Sequence, residues 1–249
     1  MSALRRTLRI GGFVGVTAAM LPTFVARHAL ARPNHRDAVR DAWVKAWSGA
    51  LLRLFAIHLD VAGDIPSGAA GRLIVSNHRS AIDVAVLLHI FGGHMVSRAD
   101  LSGWPLVGAA ARSVGTIFVD RASTTSGAGA IREIRNKLDE GQSVLLFPEG
   151  TTFEGDEVRP FHAGAFIAVL RTKSCIVPVG LAYPKGSGAA FVDEPFSRHL
   201  TRMAGADPTR VGVHIGEPIG VTPGARAAGL SEQSRRAVQA LVAAARRSL

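Results

Sequence analysis

The sequence predicts an α/β fold, a mixed and largely parallel β-sheet flanked by helices, with a membrane-associated helical segment at its N-terminal end. Three observations carry that prediction. Six short apolar runs between residues 70 and 220 alternate with stretches of helical period, the pattern of strands separated by crossover helices. Residues 10–26, "IGGFVGVTAAMLPTFVA", carry no charge. The chain of 249 residues is 47% hydrophobic but only 6% aromatic, which suits one α/β core with a lipid contact better than two enzymatic domains.

Taken in order, the uncharged run has Arg5, Arg6 and Arg9 before it and Arg27 after it. Its 17 residues sit at the short edge of a bilayer span, and Gly11, Gly12, Gly15 and Pro22 dilute it, so a spanning helix and a re-entrant or interfacial hairpin are both expected from it. A secretory signal ending at "ALA", residues 29–31, competes, although Arg27 and His28 interrupt the approach to that site. Next, "DAVRDAWVKAWSGALLRLFAIHL" places Val39, Trp43, Trp47, Leu51 and Leu54 on one helical face, which predicts a helix whose tryptophans meet either headgroups or the domain core.

The strands expected in the middle are "RLIVS", "HMVSR", "TIFVD", "SVLLF", "CIVPVGLAY" and "RVGVHIG". Helices are expected over residues 83–91, over 129–140 with Gly141 as a C-cap, and over 164–171. The last element, "SEQSRRAVQALVAAARRSL", reads as a basic helix capped by Ser231, with Ala237, Val238, Leu241, Val242 and Ala245 on its apolar side. These elements divide into residues 1–60 (membrane-associated helices), 61–225 (α/β domain) and 226–249 (C-terminal basic helix).

Twenty-nine Lys and Arg against 19 Asp and Glu give a net charge of +10, which suits an anionic partner. No recognition helix, zinc finger or RNA-binding signature accompanies it, so no nucleic acid is expected and a membrane lipid surface is. The single cysteine, Cys175, excludes an internal disulfide and a thiolate cluster, and the scattered histidines predict no metal site. A serine-hydrolase elbow, a phosphate loop, a complete dinucleotide fingerprint and a zinc helix are all missing from the sequence.

Chemistry concentrates in "VSNHRSAID", residues 75–83. Asn77 and His78 follow a strand and Asp83 opens a helix, so the imidazole projects from a strand's C-terminal edge, where α/β sheets place ligands. Five residues through such a turn return Asp83 beneath the ring. One nitrogen then bonds the carboxylate while the other faces substrate, the arrangement of a general base acting on an alcohol. "GTIFVDR" (115–121) and "LFPEGTT" (146–152) end two further strands with Arg121 and with Glu149 in a Pro-Gly turn, residue types able to bind an anion or simply to pair and turn.

These residues resemble the glycerolipid acyltransferases typified by 1-acyl-glycerol-3-phosphate acyltransferase. Four ordered blocks over roughly residues 70–185 carry the likeness: "NHRSAID", "GTIFVDR", "FPEGT" and "VPVG" at 177–180. The resemblance implies a glycerol-phosphate acyltransferase-like fold, with His78 as base and Asp83 as its orienting acid. It also implies that Arg121, Glu149, Gly150 and Thr151 bind the acceptor headgroup and that Pro178 shapes the acyl-donor side. The implied reaction moves a fatty acyl chain from acyl-CoA or acyl carrier protein to a lysophospholipid hydroxyl, without metal or cofactor, at the cytoplasmic face of the inner or plasma membrane. 1-Acyl-glycerol-3-phosphate is the first acceptor it suggests; backbone amides of Gly150 and Thr151 are expected as oxyanion donors.

One departure bears on the acceptor. Phosphatidate-forming members commonly continue the third block with arginine, whereas this chain has Thr152, with Arg121, Arg159 or Lys173 as candidate substitutes. Another lysolipid, such as lyso-ornithine lipid, is therefore the alternative acceptor, and hydrolysis of the thioester by the same dyad is the alternative reaction.

Overall fold

The computed structural model describes residues 2–68, 70–120 and 122–249. A seven-stranded sheet runs in the order β1-β7-β6-β2-β5-β3-β4, with β1 Ile57–Ala62, β2 Arg72–Ser76, β3 His94–Arg98, β4 Ile117–Val119, β5 Ser143–Leu146, β6 Cys175–Ala182 and β7 Thr209–Ile215. All pairings are parallel except β6 with β7, so the mixed, largely parallel sheet expected from the sequence is present. Each of the six predicted strands is there. β1 is an addition: α2 (Arg36–Leu54) stops early and "IHL" turns into a strand pairing with β7, because Ala56 takes a positive φ that breaks the helix.

Strand alternation splits the core. Ile74, Leu145, Val177 and Val179 face α2, α3 (Ile82–Phe91) and α6 (Phe196–Gly205), where Val44, Leu87, Phe91 and Met203 meet them. Leu73, Val75, Val144 and Ile176 face α5 (Thr124–Asp139) and α7 (Ala227–Arg247), meeting Ile134, Leu138, Val238 and Val242. The central strands are thus buried on both faces and read as continuous apolar runs. From β2 the chain crosses by α3 to β3, passes through α4 (Val107–Ser113) to β4, and returns by α5 on the other face to insert β5 between β2 and β3. That reversal opens a crevice at the C-terminal ends of β2 and β5, the position open α/β sheets use for ligands.

Three expectations change. Residues 10–26 lie inside one continuous helix, α1 (Ser2–Leu30), with Pro22 within it, so no hairpin forms. Of the two settings expected for the tryptophans the core is the one found: the stacked rings of Trp43 and Trp47 pack against the domain core under α1, with indole N–H groups donating to Met20 O at 2.9 Å and Thr17 Oγ1 at 3.1 Å. Residues 164–171 form only a 3₁₀ turn at Ala163–Ile167. Ser231 lies inside α7, which starts four residues earlier, and its buried hydroxyl donates to Phe161 O at 3.0 Å. α7 packs on β6 so closely that a Cβ on Gly180 would come within 2.4 Å of α7 backbone, which explains the glycine of the "VPVG" block as a helix-approach position.

Candidate functional site

Asn77 directly follows β2, and its buried amide continues the sheet by side chain: Nδ2 donates to Leu181 O at 2.9 Å and Oδ1 accepts from Leu181 N at 2.8 Å. Clamped to β6 in this way, the chain turns at His78 and enters α3. Asp83 in the first turn of α3 is fully buried, and its Oδ2 accepts from His78 Nδ1 at 2.9 Å, Arg79 N at 2.6 Å and Ser80 N at 2.8 Å. Burying an isolated carboxylate is costly; three donors and the positive end of α3 offset that cost here. The His78 ring stacks on Phe147 at 3.9 Å between centroids and is 19% exposed, and its Nε2 makes no hydrogen bond among the described residues. The expected bond between His78 and Asp83 is present, with the second ring nitrogen left for a ligand.

Two groups the sequence reading missed complete the dyad's surroundings. Tyr183, from the end of β6, donates its hydroxyl to Asp83 Oδ1 at 2.5 Å. Burial, reinforced by the adjacent carboxylate, pushes the Tyr183 hydroxyl well above its ordinary range, so it keeps its proton and stays a donor. Arg79, inside the His-x₄-Asp block, is nearly buried and reaches Glu149 Oε2 at 2.8 Å, Gly155 O at 2.6 Å and Glu157 O at 2.7 Å. Separations of a hundred residues for Tyr183 and Asp83 and of seventy for Arg79 and Glu149 hide both pairs from any local pattern.

Glu149 differs from its expected position against the acceptor. Its carboxylate is fully buried, with Oε2 accepting from His78 N at 2.6 Å and Oε1 from Arg159 N at 2.8 Å in addition to Arg79, so every oxygen faces protein. It ties the turn after β5 to the backbone of His78. Gly150 has φ of 83°, a conformation that favours glycine, and its N–H donates to Phe147 O at 3.1 Å, so that amide closes the turn; Thr151 N makes no hydrogen bond among the described residues and Thr151 is exposed. Of the expected oxyanion pair, only Thr151 has an amide to offer.

Pro178 is also displaced from expectation. It is buried in mid-strand on the α7 face, against Gly216, where the β6–β7 ladder begins one residue later and a missing N–H is tolerated. It does not join the His78 cluster. Thr152 donates its hydroxyl to Phe191 O. Arg159 stacks on Phe153 at 5.3 Å and pairs with Glu157, while Lys173 precedes β6 at the N-terminal ends of the parallel strands, away from position 152. Arg121 lies outside the described residues. A cleft of about 530 Å³ opens at the ends of β3 and β4 and at the turn after β5, lined by Gly150 and Thr151, by Arg98 paired with Asp100, and by Asp120; His78 does not line it, and the tie between the two is Glu149, next to Gly150, which accepts from His78 N.

An imidazole fixed by a buried acid, with a second nitrogen that makes no hydrogen bond among the described residues, can remove a proton from a hydroxyl and return it to a leaving group. Tyr183→Phe tests this positioning. Asp83 Oδ1 loses the one donor it has among the described residues, so the acid that orients the His78 ring is held less firmly and kcat should fall with KM little changed. A purely structural tyrosine would instead lower Tm and leave kcat unchanged at temperatures where the variant is folded.

The acyltransferase family model matches residues 59–182. The chain is 28% identical to the lyso-ornithine lipid O-acyltransferase of Pseudomonas aeruginosa over 96% of its own length and 94% of the relative's. It is 30% identical to the lyso-ornithine lipid O-acyltransferase of Brucella abortus, covering 78% and 79% of the two chains. The crystal structure of the 1-acyl-sn-glycerophosphate acyltransferase from Thermotoga maritima superposes with a TM-score of 0.75 over 99% of this chain and 98% of that one at 20% identity, which establishes the shared fold. With a relative 30% identical over more than three quarters of both chains, and the acyltransferase model matching the segment that carries His78, Asp83 and Glu149, the chain belongs to the glycerolipid acyltransferase family.

Proposed function

We propose that the protein moves a fatty acyl chain from a thioester, acyl-CoA or acyl carrier protein, to the hydroxyl of a lysolipid at a membrane surface, with His78 as general base and Asp83 as its orienting acid. The observation that carries this is the 2.9 Å bond from His78 Nδ1 to a fully buried Asp83, with Nε2 making no hydrogen bond among the described residues. Nε2 takes the acceptor's hydroxyl proton as the oxygen attacks the thioester carbonyl. Thr151 N–H stabilises the resulting oxyanion, collapse expels the thiolate, and the imidazolium returns the proton to sulfur. The thiolate is a good leaving group, so direct transfer needs no acyl-enzyme.

For the acceptor we place lyso-ornithine lipid ahead of 1-acyl-glycerol-3-phosphate. Thr152 stands where the arginine is expected and spends its hydroxyl on Phe191, while Asp100 is matched by Arg98 and Asp120 brings the cleft a carboxylate with no cation partner among the described residues, which suits a headgroup with an ammonium better than a phosphate dianion. The relatives named above that match most of the chain carry that activity in their names. Arg121, by family resemblance, meets the headgroup's carboxylate. α1 is long and apolar enough to cross a bilayer, and its outward residues Leu4, Leu8, Val14 and Val25 are exposed. Because its inner side docks along α2 and α6, we propose that it lies in the cytoplasmic leaflet with its apolar stripe in lipid.

Purified protein incubated with either thioester and each lysolipid, read by mass spectrometry, tests all of this. The diacyl ornithine lipid should appear; phosphatidate formation at a higher rate would reverse the order of acceptors. Thiol release without any acceptor would make the enzyme a thioesterase.

A further inference from the structure

A second cleft, of about 660 Å³, lies away from the His78 turn between the first turns of α1 and the length of α6. Arg6, Arg198 and Arg202 line it together with Ser187, Ser197 and Thr201. Arg202 is paired with Glu194, but Arg6 and Arg198 make no ion pair among the described residues. The Arg6 guanidinium lies across Gly205, close enough that a Cβ there would sit 3.2 Å from it. Arg6 and Arg198 are exposed at the cleft and have no counter-charge among the described residues, so an anion seated there meets two unpaired cations. Guanidinium forks and serine hydroxyls are donors matched to phosphate oxygens.

Position selects the source of the phosphate. Arg6 stands on α1, whose other side presents Leu4 at 68% and Leu8 at 63% exposure. If that stripe lies in lipid, as proposed above, the arginines of the same turns sit at headgroup depth. We infer that this cleft binds the phosphate of an anionic phospholipid headgroup and so fixes the depth and orientation of α1 on the membrane, at a site separate from the acceptor cleft. The inference rests on the membrane reading of α1, and not on the dyad.

The test is co-sedimentation of the full chain with phosphatidylcholine vesicles and with the same vesicles containing phosphatidylglycerol. Arg6→Ala/Arg198→Ala should bind the anionic vesicles about thirtyfold more weakly than wild type, roughly fivefold per arginine. Arg132→Ala/Arg247→Ala, which removes the same charge from exposed positions on α5 and α7 in the opposite layer, should bind as wild type does. Equal losses in the two double variants overturn the inference by reducing it to net charge, and full binding by the first variant overturns it directly. Calorimetric titration with coenzyme A covers the other phosphate source: weakened coenzyme A binding with unchanged vesicle binding would give the cleft to the donor and overturn the lipid assignment. Wild-type protein that ignores both vesicles would sink the membrane reading and this inference together. Acyl transfer in detergent micelles, dependent on His78, is independent of either outcome.

Discussion

His78→Ala is expected to lower kcat/KM by about a thousandfold or more while leaving the fold intact, because it removes the group that takes the acceptor's proton and touches little of the core. The ring packs on Phe147 and bonds one carboxylate oxygen; the other three donors to Asp83, from Tyr183, Arg79 N and Ser80 N, survive the substitution. Asp83 therefore stays satisfied and the variant should unfold close to the wild-type temperature. Asp83→Ala behaves differently, since the same truncation strands Tyr183 and two amides in the interior as well as freeing the imidazole. The contrast gives the measurement its meaning. Loss of turnover with retained Tm in His78→Ala marks a residue that acts on substrate, and a His78→Ala enzyme transferring at the wild-type rate would falsify the base assignment.

Much of this arrangement is legible in the sequence. Buried strands of a parallel sheet are apolar throughout, so six of them stood out as short runs, and residues 75–83 showed a histidine and an aspartate at a separation one turn can close. β1 escaped because "IHL" continues the helical period of the preceding residues, and only the strained backbone at Ala56 ends it. The roles of Glu149 and Pro178 could not be read locally either. A glutamate in a Pro-Gly turn looks the same whether it faces a ligand or a buried arginine seventy residues earlier, and the difference is made by Arg79 crossing to it. Pro178 follows the apolar alternation of β6, and which face that alternation presents depends on α7 being there. Asn77 and Tyr183 are the same kind of case: both act on backbone or side chains about a hundred residues away in sequence.

Glu149→Ala is expected to destabilise the protein by about 3–5 kcal/mol, the cost of leaving Arg79 charged and unpaired in the interior, and to lower Tm on the order of ten degrees. The glutamate accepts from three partners, and each loss has a separate consequence. Arg79 loses its counter-ion, the segment carrying Arg159 loses its anchor, and the His78 amide loses the acceptor that holds the turn under the ring. Activity should therefore fall even at temperatures where the variant is folded, and chiefly in kcat, because misplacing the base affects the transition state more than lipid binding. Glu149→Gln separates this from direct contact with the acceptor. The amide retains one oxygen for His78 N but removes the charge facing Arg79, so Tm should drop by an intermediate amount with KM for the lysolipid little changed. A glutamate that touched the headgroup would give the reverse pattern, a raised KM at constant Tm, and that result would return Glu149 to the substrate side of the site.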